Sequence, residues 1–225
     1  MNAGLTTQLL DLACGVFLLA AVLVLWRHEL AAIVRAFALQ GVALGAIAVL
    51  LGAHEGRWDL SVVGLGIGVL RAGVLPHLMR RVPAALAADR ESEEVRETQP
   101  LVNVAASLLT AALLTLLAYA VARLLTELHP TPAARALPVG LAVVLIGFFV
   151  LATRRRALAQ VVGFLLLDNG ITATAFLATS GVPLIVELGV SFDVLLAVLV
   201  LQILTTRMRE AFGTTDIDDL RELHD

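Results

Sequence analysis

Long runs of apolar residues alternate with short polar segments along the whole chain. The apolar runs lie at residues 5–26, 30–51, 60–78, 101–128, 137–152, 157–179 and 183–206. A helix needs about 20 apolar residues to cross a hydrocarbon core roughly 30 Å thick. A closed barrel would instead require alternating polar and apolar positions, which these runs do not show. The pattern therefore predicts an all-α integral membrane protein of about seven transmembrane helices.

Arginine is distributed unevenly between the two sides of the membrane that these spans define. Short cytoplasmic segments carry the excess of basic residues in proteins with several spans. One side has only Arg57 and Arg135. The other side has twelve arginines: Arg27, Arg35, Arg80, Arg81, Arg90, Arg96, Arg154, Arg155, Arg156, Arg207, Arg209 and Arg221. This distribution predicts an N-terminus outside and a C-terminus in the cytoplasm, in the inner (plasma) membrane of the cell.

Polar breaks divide the chain into four regions. Residues 1–87 are predicted to form a three-helix membrane segment, and residues 101–211 a four-helix membrane segment. Between them, residues 88–100 form a charged cytoplasmic loop, which is either solvated or a docking surface for a cytoplasmic subunit. Residues 212–225 form a short cytoplasmic tail with the apolar spacing of an amphipathic helix.

Composition excludes several classes of function. Hydrophobic residues make up 59% of the chain and charged residues 16%, and the mean hydropathy is +0.91, which excludes a water-soluble fold. The net charge of -3 gives no case for a nucleic-acid partner. Cys14 is the single cysteine, and no histidine or cysteine motif has the spacing of a metal site. We therefore expect no metal, no cofactor and no catalytic centre in this chain.

Closely spaced glycines occur inside two of the predicted spans. Gly41 and Gly45 form a G-x-x-x-G pair in the second span, and Gly64, Gly66 and Gly68 lie in the third. Small residues at this spacing let helix backbones approach each other in a membrane. The glycines indicate close helix packing and not a nucleotide-binding loop.

Ionisable residues inside the spans are the candidate functional residues, because a charge in hydrocarbon costs about 2.5–3.5 kcal/mol. Arg71, Asp168 and Asp193 each lie about ten residues or more into a span, which places them near the middle of the membrane. Arg71 requires a carboxylate partner or water, and it serves either structural pairing or electrostatic modulation of a proton path. Asp168 and Asp193, at similar depth on adjacent antiparallel helices, are predicted proton carriers.

Other polar positions in these spans allow two interpretations. Asp168 is followed by Asn169 and Gly170, and this triplet predicts a weakened point in the helix where water enters. Glu187 lies near the outer end of its span and is either an interfacial anchor or an entrance to the proton path. His77 lies near the cytoplasmic end of the third span. It is either a helix-end histidine with its hydrogen bonds made or a relay for protons.

Three segments in the last third of the chain carry a more specific pattern. They read G-F-L-L-L-D-N-G-I at residues 163–171, P-L-I-V-E-L-G-V-S-F-D at 183–193 and F-G-T-T-D-I-D-D-L-R-E-L at 212–223. Gln40 and the R-A-G-V-L-P run at residues 71–76 add weaker matches. Together these segments resemble the hydrogenase-4 component E family of membrane subunits. Members of that family usually carry glutamate at the position of Asp168 and lysine at the position of Arg71.

The resemblance implies a place in a larger assembly. The last three spans of that family are similar to the K-type subunit of respiratory complex I and to the C subunit of Mrp-type cation/proton antiporters. Asp168 then falls where the smaller subunit carries one buried glutamate, and Asp193 falls near the other, with Glu187 as the alternative.

The expected function is that of a membrane subunit in a complex-I-like complex, of the group 4 nickel–iron hydrogenase or formate hydrogenlyase type. Such a subunit lines part of a proton or sodium path and binds antiporter-like and hydrogenase or quinone-module-like subunits, which hold the metal centres. The alternatives are a purely structural scaffold subunit, a subunit of an Mrp-type antiporter, and a self-sufficient transporter.

Overall fold

The computed structural model describes residues 3–27, 29–77, 103–128, 131–153 and 157–179. Within these ranges the chain is helical and contains no strand. Six of the helices are long and apolar enough to cross a membrane. The seventh predicted span, the predicted loop at 88–100, the tail, and the candidate residues Glu187 and Asp193 lie outside the described residues.

The membrane-spanning helices follow the predicted apolar runs closely. Their bounds are α1 Ala3–Trp26, α2 Leu30–Glu55, α3 Trp58–Val69, α4 Val104–Leu128, α5 Pro132–Thr153 and α6 Ala157–Thr179. A π-helical turn, Leu70–Val74, continues α3, so that the full span reaches His77. The prediction of six of the seven spans is therefore confirmed by helices of the required length.

Two helix ends lie four or five residues beyond the predicted ends, and each has a recognisable cap. The fifth span begins at Pro132, five residues before the predicted start at residue 137. Thr131 caps it, since the Ala134 N–H donates to Thr131 Oγ1 at 3.0 Å, and proline is well suited to the first helical position. The second span continues to Glu55, where Gly56 adopts a left-handed conformation (φ 68°) and its N–H bonds to the Gly52 carbonyl.

The six helices pack as two rows of three. One row runs α3, α2, α1 and the other runs α6, α5, α4, with α2 against α6 and α1 against α5. Fully buried side chains between the rows include Phe17, Phe37, Ile146 and Phe176. The helices α2 and α6 are the most buried of the six spans, and α4 at one edge is the least buried. The polar residues Gln40 on α2 and Asp168, Asn169 and Thr172 on α6 are among the buried ones.

Glycines bring the backbones of α2 and α3 into direct contact, as predicted. A Cβ atom at Gly41 would lie 2.7 Å from the carbonyl carbon of Arg71, and one at Gly45 would lie 2.9 Å from the carbonyl oxygen of Gly64. Real Cβ atoms do not approach other atoms this closely, so both positions require glycine. Gly66 is different, because nothing lies within 4 Å of a Cβ atom built there. The backbone of α3 at Arg71 is thus held against α2.

Glycines also bring α5 and α6 together beside the candidate carboxylate. A Cβ atom at Gly170 would lie 2.5 Å from the backbone nitrogen of Val144, and one at Gly147 would lie 2.5 Å from that of Leu167. The helix α6 continues without interruption through residues 168–170, so the entry of water predicted beside Asp168 stays a prediction. Gly170 serves close packing against α5 and not a break in α6.

Candidate functional site

A cluster of five buried polar side chains lies where α2, α3 and α6 meet. Its members are Gln40 from α2, Arg71 from the π-helical turn of α3, and Asp168, Asn169 and Thr172 from α6. At about 1.5 Å per residue, Gln40 is about 15 Å from the start of α2 and Asp168 about 17 Å from the start of α6. The cluster therefore lies near the middle of a hydrocarbon core roughly 30 Å thick. We refer to these five residues as the polar cluster.

Arg71 and Asp168 form an ion pair at the centre of the polar cluster. Arg71 Nη1 lies 2.6 Å from Asp168 Oδ2, and the Arg71 side chain is 1% exposed. A buried charge without a partner costs several kcal/mol, so each of these groups requires the other. The expectation that Arg71 has a carboxylate partner is confirmed by this contact.

Arg71 is also held by two neutral groups on α6. Its Nη1 donates to Asn169 Oδ1, and its Nη2 donates to Thr172 Oγ1 at 3.0 Å. Asp168 and Thr172 are four residues apart and therefore share one face of α6, which presents both to the guanidinium. The guanidinium keeps hydrogen-bond acceptors that do not depend on the charge of Asp168.

Gln40 extends this network to α2. Asn169 Nδ2 donates to Gln40 Oε1 at 2.8 Å, while Asn169 Oδ1 accepts from Arg71. An amide that accepts on one side and donates on the other has a single orientation. Gln40 therefore fixes the orientation of Asn169, and through it the position of Arg71.

Three polar atoms of the polar cluster have no hydrogen-bond partner within the described part of the chain. They are Gln40 Nε2, Arg71 Nε and Asp168 Oδ2. Asp168 Oδ2 is close enough to Arg71 for an ion pair, but the direction of the contact is not that of a hydrogen bond. Asp168 is the carboxylate of the polar cluster, and a carboxylate becomes neutral when one of its oxygens binds a proton.

The π-helical turn at Leu70–Val74 places Arg71 in this position. Pro76 follows two residues later and has no N–H to donate to the carbonyl of Ala72, which loosens the helix at this turn. Turns of this type widen the helix by one residue and occur frequently at functional sites. Apolar periodicity did not predict this turn, although the R-A-G-V-L-P run contains the proline that favours it.

Of the other candidate residues, His77 is within the described part of the chain, and it does not belong to the polar cluster. His77 is exposed at the end of α3, six residues beyond Arg71 or about 9 Å along a helix axis. Glu187 and Asp193 lie outside the described residues, so their roles stay predictions. The sequence interpretation also missed Asn169 and Thr172 as acceptors for the guanidinium. The sequence feature that could have indicated them is the position of Thr172, four residues after Asp168 and three after Asn169.

Comparison with known proteins finds one relative along nearly the whole chain. It is the uncharacterized protein Rv0085 of Mycobacterium tuberculosis (strain ATCC 25618 / H37Rv), which is 52% identical over 217 residues, or 96% of each chain. Hydrogenase-4 component E of Escherichia coli (strain K12) and of Shigella flexneri are each 32% identical over 88 residues. That match covers 39% of this chain and 41% of those proteins. No family model matches the chain, and no solved structure matches it.

Proposed function

This chain belongs to the family of the Mycobacterium tuberculosis protein Rv0085, and we propose that it is a membrane subunit of a complex-I-like respiratory or hydrogenase complex. In this proposal it contributes Asp168 to a path for protons or sodium ions. The partial similarity to hydrogenase-4 component E supports membership in a complex of several subunits. The length and apolar character of six helices support a location in the membrane.

The observation that carries the proposal is the ion pair of Arg71 and Asp168 in the membrane interior. Arginine stays charged, so Asp168 is the member of the pair that can exchange a proton. Arg71 is held by Asn169 and Thr172 as well, and it keeps these partners when Asp168 becomes neutral. Both side chains are largely buried, at 1% exposure for Arg71 and 12% for Asp168, so the pair lies in the protein interior.

These contacts support a proposed cycle in which the charge of Asp168 changes while that of Arg71 does not. When Asp168 is ionised, its charge and that of Arg71 cancel, and the two side chains are in contact. A proton that binds Asp168 leaves the positive charge of Arg71 uncompensated, and this charge favours passage of the proton to the next acceptor. Asp193 or Glu187 is the proposed next carrier, and His77 the proposed relay at the end of α3. The electron-transfer reaction that drives the cycle takes place in other subunits.

One observation favours a second candidate function, that of a structural scaffold. Both Nη groups of Arg71 are engaged by α6, so the ion pair also ties α3 to α6. A scaffold role predicts that loss of the carboxylate affects only the amount of assembled complex.

Proton translocation by the intact complex in sealed vesicles tests the proposal. We expect Asp168→Asn to abolish pumping in complexes that retain every subunit. Asp59→Asn is the matched control, because Asp59 pairs with Arg57 at 3.0 Å but is half exposed at the end of α3. Normal pumping by fully assembled Asp168→Asn complexes would contradict the carrier role and favour the scaffold.

A further inference from the structure

A groove with two arginines lies on the other side of the protein, away from the polar cluster. It has a volume of about 380 Å³ and runs between α4 and α5. Its lining residues are Tyr119, Ala120, Arg123, Thr126, Arg135 and Pro138. Neither the ion-translocation proposal nor the similarity to other proteins assigns a role to this groove.

Both guanidinium groups of the groove keep unused hydrogen-bond donors. Arg123 Nε donates to Glu127 Oε1 at 2.9 Å, and within the described residues its two Nη groups have no acceptor. Arg135 is exposed, and its side chain has no acceptor in the part of the chain that the structure describes. With Glu127 counted, the groove keeps one net positive charge. Thr126 does not add a donor, because its hydroxyl already donates to the Arg123 carbonyl at 2.9 Å.

The groove lies at the depth of lipid head groups. Arg123 is five residues before the end of α4 and Arg135 three residues after the start of α5, so both are within about 8 Å of a helix end. Tyr119, which is half exposed, belongs to a residue type that prefers this interface. From here α4 extends towards the middle of the membrane with an apolar surface of exposed leucines: Leu109, Leu113, Leu116 and Leu117.

We propose that this groove binds the phosphate of an anionic phospholipid, with the acyl chains along the leucine surface of α4. Guanidinium groups bind phosphate oxygens through paired N–H donors, and two arginines line this groove. The net positive charge favours a head group with a net negative charge over one that carries its own ammonium. The leucine surface favours a lipid over a soluble phosphate, since a free anion gains nothing from it. This inference is independent of the proposed ion path.

Native mass spectrometry of the intact complex, from which this chain is ejected with its bound lipids, tests the proposal. The complex is incubated with equal amounts of phosphatidylglycerol and phosphatidylcholine that carry identical acyl chains. We expect phosphatidylglycerol adducts to predominate on the wild-type chain. The double variant R123Q/R135Q should reduce them on the order of tenfold, and R123K/R135K should reduce them less, because charge remains.

The matched control removes two positive charges elsewhere. R27Q/R35Q changes exposed arginines near the junction of α1 and α2, and it should leave the adducts unchanged. Equal adducts of the two lipids on the wild-type chain would overturn the proposal. Equal phosphatidylglycerol adducts on R123Q/R135Q and wild type would also overturn it. Displacement of the lipid by an equal concentration of glycerol 3-phosphate would assign the groove to a soluble phosphate and would overturn the lipid assignment.

Discussion

Asn169 Nδ2 donates to Gln40 Oε1 at 2.8 Å, across the contact between α6 and α2. This hydrogen bond joins two neutral amides, but it also affects the position of the charged Arg71 side chain. Because Asn169 donates to Gln40, its oxygen is turned towards Arg71. The position of the guanidinium beside Asp168 therefore depends on an amide that lies on a third helix.

Replacement of Gln40 by methionine tests this dependence. The substitution keeps the length of the side chain but leaves the buried Nδ2 of Asn169 without an acceptor, which costs about 1–3 kcal/mol. We expect a lower midpoint of thermal unfolding in detergent for Gln40→Met. Gln8→Met is the control, because Gln8 is exposed on α1. Equal stability of the two variants would show that Gln40 does not hold the network.

The close contact of Gly41 with the backbone of Arg71 leads to a second prediction, on thermal stability. Alanine at position 41 would bring its Cβ within 2.7 Å of the Arg71 carbonyl carbon and push α3 away from α2. Overpacking of this kind costs about 1–3 kcal/mol, and we expect Gly41→Ala to unfold at a lower temperature.

Gly66→Ala is the matched control for this glycine. Nothing lies within 4 Å of a Cβ atom at position 66, and alanine stabilises a helix interior by about 0.5–1 kcal/mol relative to glycine. The expected order of stability is therefore Gly66→Ala, then wild type, then Gly41→Ala. If Gly41→Ala were as stable as wild type, the close contact of α2 with Arg71 would be contradicted.

A double-mutant cycle at the ion pair separates stability from function. Removal of one partner leaves an unpaired buried charge, which costs about 3–5 kcal/mol, whereas removal of both leaves none. We expect Arg71→Met alone to reduce the amount of assembled complex strongly, and Arg71→Met combined with Asp168→Asn to restore much of it. Blue native electrophoresis measures the amounts. Purely additive losses would contradict a direct interaction between the two residues.

Much of the fold was predictable from sequence because membrane spans require long apolar runs. The six described helices match predicted spans, and the requirement of Arg71 for a carboxylate partner or water followed from the cost of burying its charge. The contact with Gly41 was predictable in kind, since small residues at helical spacing permit close packing. The spans, the need of a buried charge for a partner and the close packing at glycine depend on local sequence and on the apolar interior of the membrane.

The remaining features depend on tertiary contacts, which sequence periodicity does not contain. The π-helical turn at Leu70–Val74 changes which way Arg71 points, and it follows from packing as well as from Pro76. Gln40 meets Asn169 only because α2 and α6 are neighbours. The role of Gly170 in the close packing of α6 against α5 likewise depends on which helices are neighbours, and the sequence did not predict it.

The most direct test of the central claim compares Asp168→Glu with Asp168→Asn in the same assembled complex. Glutamate keeps a carboxylate that can exchange a proton and that pairs with Arg71, whereas asparagine matches the shape of aspartate but cannot exchange one. We predict that proton pumping in vesicles is retained at a reduced rate by Asp168→Glu and lost in Asp168→Asn. Pumping by Asp168→Asn at the wild-type rate, with all subunits present, would contradict a carrier role for Asp168.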